Sequence, residues 1–290
     1  MSIERLLASI RTGRTDDYLL KVVVPSQRFI WLWIPKNAGG SISRTLLQVY
    51  GEDAIPTDLP FERLWRLNPE LKTFRIVALK RNPFRRAVSC WLNKIADRRG
   101  FTPSYLHRYP GLRAGMSFPE FAEWLNTSEG SDEVADPHWQ SQYLQLERVT
   151  EMLRFEDLPD VVTSLGIPPA ELPRQNPYWR MAAAAGLDKR PLLEWYDQGT
   201  IELIRRRYDR DFELLKYGMP KRLQERFGLI GPGAAPADSV RPPWPEGDGQ
   251  GWAGEPAGEG VVANVETAGI GAEGRQDHAF AVGDEAAPAH

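Results

Sequence analysis

The chain is poor in the residues that staple small proteins or bind soft metals. It has one cysteine, Cys90, among 290 residues. That excludes an intrachain disulfide framework and a thiolate metal site built by this chain alone. No apolar run approaches the ~20 residues of a membrane helix. The start, Met1-Ser-Ile-Glu-Arg5, has no apolar signal core, so a soluble, cytoplasmic protein is expected. What is present suffices for a core. Hydrophobic residues make up 42% of the chain and there are 10 Trp, which argues against a wholly disordered chain. The formal net charge of −3, taken at face value, argues against an anionic ligand.

That average conceals two unlike segments. Residues 231–290 contain 12 Gly, 7 Pro and 13 Ala, with 10 acidic and 2 basic residues, a net charge of −8. Residues 1–230 therefore carry +5. No helical or strand period runs through the last segment, and it cannot bury enough apolar surface to offset chain entropy. It reads as a disordered acidic tail; the alternative is a docking tail that uses Trp244 or Trp252.

Residues 1–230 read as one α/β domain. Phe29-Ile-Trp-Leu-Trp-Ile34 is a continuous apolar run, as suits a strand covered on both faces. A Gly-rich loop and a helical pattern through Ile42, Leu46, Val49 and Tyr50 follow. A second run, Phe74–Leu79, leads to Asn82-Pro83, a helix cap with proline at the first helical position. Ser117-Phe-Pro-Glu120 is a capping box opening a helix through Trp124. Glu151–Phe155 fits a third strand, and a late helix covers Ile201–Tyr208. Strands alternating with helices predict a three-layer α/β sandwich with a mainly parallel sheet.

Two strand-to-helix junctions suit anions. In Pro35-Lys-Asn-Ala-Gly-Gly-Ser41, helix N-terminal amides and the helix dipole converge on one spot. Gly39 and Gly40 permit close approach, Ser41 adds a hydroxyl, and Lys36 adds charge. The lysine precedes the glycines, unlike a nucleotide-triphosphatase loop, so no Mg²⁺ seat is evident. An ordinary glycine turn is the bland alternative. In Arg81-Asn-Pro-Phe-Arg-Arg-Ala-Val-Ser89, Arg85 and Ser89 share a helix face. Arg81, Arg85 and Arg86 near a helix N-terminus suit a second phosphate; a solvated basic face is the alternative. Together the junctions suit one ligand with two phosphate groups.

This pair resembles the cofactor signatures of sulfotransferases that use 3′-phosphoadenosine 5′-phosphosulfate (PAPS). Lys36–Ser41 is similar to their 5′-phosphosulfate loop and Arg81–Ser89 to their 3′-phosphate motif. Asp136-Pro-His-Trp-Gln-Ser-Gln142, Met152-Leu-Arg-Phe-Glu-Asp-Leu158, Leu172-Pro-Arg-Gln-Asn176 and Tyr208–Tyr217 also resemble the family-2 branch, which includes Golgi carbohydrate sulfotransferases. The resemblance spans about residues 28–217 in the right order. It implies a fold related to P-loop nucleotide hydrolases and PAPS as sulfuryl donor. It also implies a carbohydrate or other small hydroxylated acceptor. From this sequence's own residues no metal, nucleic acid or membrane span is expected. The implied donor-binding residues are Lys36, Asn37, Ala38, Gly39, Gly40, Ser41, Arg81 and Ser89, with Arg174 a further candidate. Gly40 stands where relatives often carry Thr, and Asn82 where Asp is common.

Sulfuryl transfer needs in-line positioning and charge stabilisation, by analogy with phosphoryl transfer. Lys36 is the implied stabilising cation. A hydroxyl acceptor also needs a base. Of four histidines, His278 and His290 lie in the tail and His107 has no motif context. His138 is the candidate base, with Asp136 to orient it; a structural histidine and a helix cap are the alternatives. Glu156 reads as a structural carboxylate paired with an arginine. Trp31 and Trp33 read as core, whereas Trp91 and Trp139 are either core or stacking platforms. Arg205-Arg-Arg207 reads as a solvated face. The competing functions are a nucleotide-dependent kinase, a non-catalytic binding module of the same fold and a nucleic-acid binder.

Overall fold

The computed structural model describes residues 21–97, 101, 103–146, 148–168, 178–188 and 190–228. The tail 231–290 and Arg174 lie outside the described residues. Among the described residues five strands form one sheet: β1 (Lys21–Val24), β2 (Phe29–Leu32), β3 (Ile55–Thr57), β4 (Arg75–Lys80) and β5 (Glu151–Arg154), in the order β3-β1-β2-β4-β5. β2 pairs with β4, and β4 with β5, in parallel; β1 pairs antiparallel with both β2 and β3.

The sheet is therefore mixed, and the expected parallel arrangement holds only for its β2-β4-β5 half. The reason is local. β1 turns into β2 through Pro25–Gln27, with Arg28 left-handed at φ 52° and its N–H donating to Pro25 O at 3.1 Å. A turn this short can only make a hairpin. β3 contains Pro56 and lies at the sheet edge, where a strand tolerates the missing donor.

β2 is buried along its whole length because both sheet faces are covered. One face sends Val22, Val24, Phe29, Trp31, Val77 and Leu79 against Ile42 and Leu46 of α1 (Gly39–Tyr50) and Val161 of α6 (Leu158–Ser164). The other sends Val23, Ile30 and Ala78 against Phe61 and Leu64 of α2 (Phe61–Leu67). Strand alternation thus fills two cores, each buried large side chain contributing about 1.5–3 kcal/mol.

A third, aromatic-rich core joins α3 (Pro83–Trp91) to α5 (Phe118–Trp124) and α8 (Gln198–Arg207). Asn82 caps α3 by accepting from Phe84 N–H at 3.1 Å, as its Asn-Pro signature predicts. The Ser117–Glu120 capping box opens α5. β2 and β4 run side by side, and their carboxyl ends lead into the N-termini of α1 and α3. That places the site in the crevice beyond those ends.

Candidate active site

After β2 the chain turns sharply. Asn37 N–H donates to Ile34 O at 3.3 Å, and Lys36 and Ala38 take left-handed φ values of 69° and 59°. Ala38 is the N-cap of α1 and supplies no side-chain cap. Ser41 and Ile42 N–H both donate to Ala38 O at 3.0 Å, so the Gly39 and Gly40 amides precede the helical ladder and point out of the helix end. A left-handed residue followed by a helical one makes a concave, anion-accepting nest. Gly39 is obligatory here: a Cβ on it would lie 1.8 Å from Trp33 Cδ1. Trp33, expected in the core, instead packs half-buried against this turn.

The turn is pinned from behind. Arg86 is 1% exposed; its Nε donates to Pro35 O at 3.2 Å, Nη1 to Gln140 O at 2.8 Å and Nη2 to Pro137 O at 3.0 Å. Arg86 is thus spent on carbonyls of the first anion loop and of the 136–142 segment, not directed at a phosphate. Asn37 is likewise turned inward, its Nδ2 donating to Leu79 O at 2.7 Å and to Gln142 Oε1 at 2.8 Å. Gln142 Oε1 also accepts from Arg81 N–H at 2.9 Å, and Gln142 Nε2 donates to Arg81 O at 2.9 Å. Asp211, on α9 (Asp209–Leu214), accepts from the backbone N–H groups of Gln142 and Tyr143, both at 2.9 Å. Burial raises the Asp211 pKa.

Two late sequence motifs, around Gln142 and Asp211, therefore form one buried polar hub beneath both anion junctions. Replacing Arg86 with methionine strands three carbonyls. The expected cost is about 3 kcal/mol or more of stability, read as a lower midpoint in urea unfolding.

At the second junction Arg81 is 8% exposed. Its Nη1 donates to Lys36 O at 2.7 Å, and its guanidinium lies 4.3 Å over the Phe155 ring. The buried Nε finds no hydrogen-bond partner among the described residues. Burial pulls the Arg81 pKa down to about 10. Ser89 is buried on α3, and Arg85 sits half-buried one turn before it. A desolvated guanidinium with an idle donor, tied to the first loop, has the chemistry to accept an anion.

Lys36 reaches across the crevice. Its Nζ donates to Asn93 Oδ1 at 2.8 Å. Burial, aided by Lys94, Arg81 and Arg86 nearby, pulls its pKa down to about 7. Across from it His138, 6% exposed, places Nδ1 2.5 Å from Asp136 Oδ1, and its own N–H donates to the same oxygen at 2.9 Å. Burial is the main reason that the His138 pKa falls; Lys94 and Lys36 push the same way, and Asp136 opposes them. The structure thus brings the candidate cation and the candidate base into mutual electrostatic range.

The family model described as Sulfotransferase family matches residues 21–218. The chain belongs to the sulfotransferase family. No curated protein and no solved structure matches it.

The remaining motif residues of this sulfotransferase are placed as follows. Glu156 is placed as a structural carboxylate: it accepts from Asn82 N–H (3.0 Å) and Tyr217 OH (2.7 Å), and its charge acts on the Arg81 guanidinium. Trp139 is fully buried among Tyr105, Tyr109 and Trp124, so it is no stacking platform. Trp91 is core, with Nε1 donating to Met116 O at 2.7 Å. Of the arginine run, Arg207 is not solvated: it is paired with Asp132 at 2.7 Å with its side chain 6% exposed. His107 is exposed. Burial pushes the Cys90 thiol up to about 11, which leaves it protonated and inert at neutral pH.

Among the described residues no helix is long and apolar enough to cross a membrane, and no group of three or more acidic, histidine or cysteine side chains could hold a metal ion. Asn93, which accepts from Lys36, is a site contact that sequence reasoning missed. The signal existed: it continues the Arg85–Ser89 helix face by another four positions.

Proposed function

We propose that this sulfotransferase takes PAPS as donor and a hydroxyl of a carbohydrate or other small molecule as acceptor. One observation carries the reading: an uncapped helix end with Lys36 beside it is tied, through the 2.7 Å Arg81–Lys36 hydrogen bond, to a buried guanidinium whose Nε has no partner among the described residues. The two anion-accepting groups are therefore held in fixed relation, as a ligand with phosphates at both ends of a nucleoside requires. The nest fits the first anionic group, since a Cβ at Gly39 would displace Trp33. The idle Arg81 donor fits the second.

The donor supplies the sulfuryl group when bound. The Gly39 and Gly40 amides and the Ser41 hydroxyl would hold its 5′ end, and Arg81 and Ser89 its 3′-phosphate. Lys36 stabilises charge developing on the leaving oxygen. His138 accepts the acceptor's proton at Nε2, because its Nδ1–H is committed to Asp136. The lysine precedes the glycines, the reverse of the order in nucleotide-triphosphatase loops, which favours this reading over a kinase.

Calorimetry without magnesium tests the donor. The folded chain is expected to bind 3′-phosphoadenosine 5′-phosphate about tenfold or more tighter than ADP, the value of one charge-assisted contact. Arg81→Met is expected to erase that preference. Equal affinities in the unmodified protein would sink the reading.

A further inference from the structure

α3 does not end cleanly. After Trp91 it widens into a π-type turn over Leu92–Ala96, an irregularity often found at functional sites. Arg85, Ser89 and Asn93 follow one another at intervals of four and so form one ridge along the helix. Bonds that span five residues bring Lys94 toward the same side. Its charge lowers the pKa of both Lys36 and His138. The widened turn thus directs two consecutive polar residues at one crevice.

Asn93 is the residue in contact. Lys36 is flanked by cations on three elements: Arg81 at the end of β4, Arg86 on α3 and Lys94 on the π turn. The neutral Cys90 thiol and the His138–Asp136 pair complete its surroundings. A long, flexible ammonium repelled from three sides has no reason to stay in the crevice. The hydrogen bond it donates goes to the Asn93 amide oxygen at 2.8 Å, a dipole that attracts the ammonium while adding no net charge to an anion-binding site. A carboxylate in that place would hold Lys36 more tightly but repel an incoming sulfated or phosphorylated group.

We propose that Asn93 is a positioning residue for the transfer reaction, holding the Lys36 ammonium at the mouth of the Gly39–Gly40 nest, and that the π-type turn serves to present it. This rests on the reading of Lys36 as the charge-stabilising cation. The turn supplies the tether, the amide supplies the acceptor, and Lys36 keeps two further N–H donors for the transferring group.

The test separates the contact from the reaction. Competitive acylation of the full chain across a pH series, read by mass spectrometry at Lys36, gives its titration midpoint with no donor present. Asn93→Asp is expected to raise that midpoint by about one pH unit or more, as an opposite charge in contact does. Asn93→Ala is expected to lower it, because the acceptor is lost. Sulfuryl transfer by Asn93→Ala is expected to fall about tenfold in kcat with little change in donor KM. Asn93→Ser, which restores an oxygen acceptor, is expected to recover part of that loss.

A Lys36 midpoint unmoved in both the Asp and Ala variants overturns the proposal. A moved midpoint with kcat unchanged in Asn93→Ala also overturns it, since the contact then serves no catalytic purpose. A moved midpoint in a protein that transfers no sulfuryl group from PAPS leaves Asn93's hold on Lys36 intact and counts against the donor reading alone.

Discussion

Lys36→Met is expected to lower sulfuryl transfer by about 100-fold or more while leaving the protein folded. The loss follows from where the charge sits. The Lys36 ammonium lies beside the nest and donates across the crevice to Asn93 at 2.8 Å. A preorganised donor in a desolvated site contributes about 10²–10³ in rate when it meets charge that develops only in the transition state. Methionine keeps most of the length of the chain and none of the charge. The backbone role survives, because it is the Lys36 carbonyl that accepts from Arg81.

Stability separates this from a structural effect. Burial pulls the Lys36 pKa down to about 7 from the ordinary lysine value of 10.5. The unfolded chain therefore binds this proton more tightly than the folded one, and Lys36 opposes folding at pH values below its unfolded pKa. Its removal should leave the unfolding midpoint at pH 7 unchanged or higher. A variant that transfers within tenfold of the parent would remove Lys36 as the stabilising cation. One that unfolds at lower denaturant would instead mark it as structural.

The parts of the fold with local signatures were legible. The continuous apolar run at Phe29 marked a strand covered on both faces, and Asn82-Pro83 and Ser117–Glu120 marked helix starts. β1 and β3 were not, since Val22-Val-Val24 and Ile55-Pro-Thr57 are too short to show a period and find each other only through pairing across the sheet.

The site divides in the same way. Backbone features, such as a loop rich in glycine before a helix, leave marks in sequence; side-chain allegiance does not. Arg81 and Arg86 are indistinguishable as letters. One keeps a buried Nε with no partner among the described residues, and the other is consumed by three carbonyls. What separates them is the return of residues 136–142 under the first loop, a long-range contact. Trp33 and Trp139 are likewise indistinguishable as letters. The tryptophan in the apolar run lies half-buried against the nest, and the one in the motif is buried among aromatic rings.

His138→Ala is expected to lower kcat by about 100-fold or more, the usual worth of a positioned general base, with the affinity for 3′-phosphoadenosine 5′-phosphate unchanged. The pH dependence assigns the role. Burial, reinforced by Lys94 and Lys36, holds the His138 pKa below 6.5, so the imidazole is neutral and competent at pH 7. Its protonated form cannot accept a proton, so kcat/KM should rise with pH through a midpoint below 6.5. Lys36 must keep its proton, so the same profile should fall with pH around 7. The result is a narrow bell, and its limbs are properties of two interacting groups rather than of isolated side chains.

The variants resolve the limbs. Residual activity in His138→Ala should lose the acid limb and keep the alkaline one. Asp136→Asn should also cut kcat, because the amide can donate to Nδ1 and so move the imidazole proton to Nε2, where the base is needed. A structural histidine bonded to a carboxylate gives the opposite pattern, with stability lost in both variants and the acid limb retained. An acid limb that survives in His138→Ala would therefore exclude it as the base and return the proton to another group in the crevice.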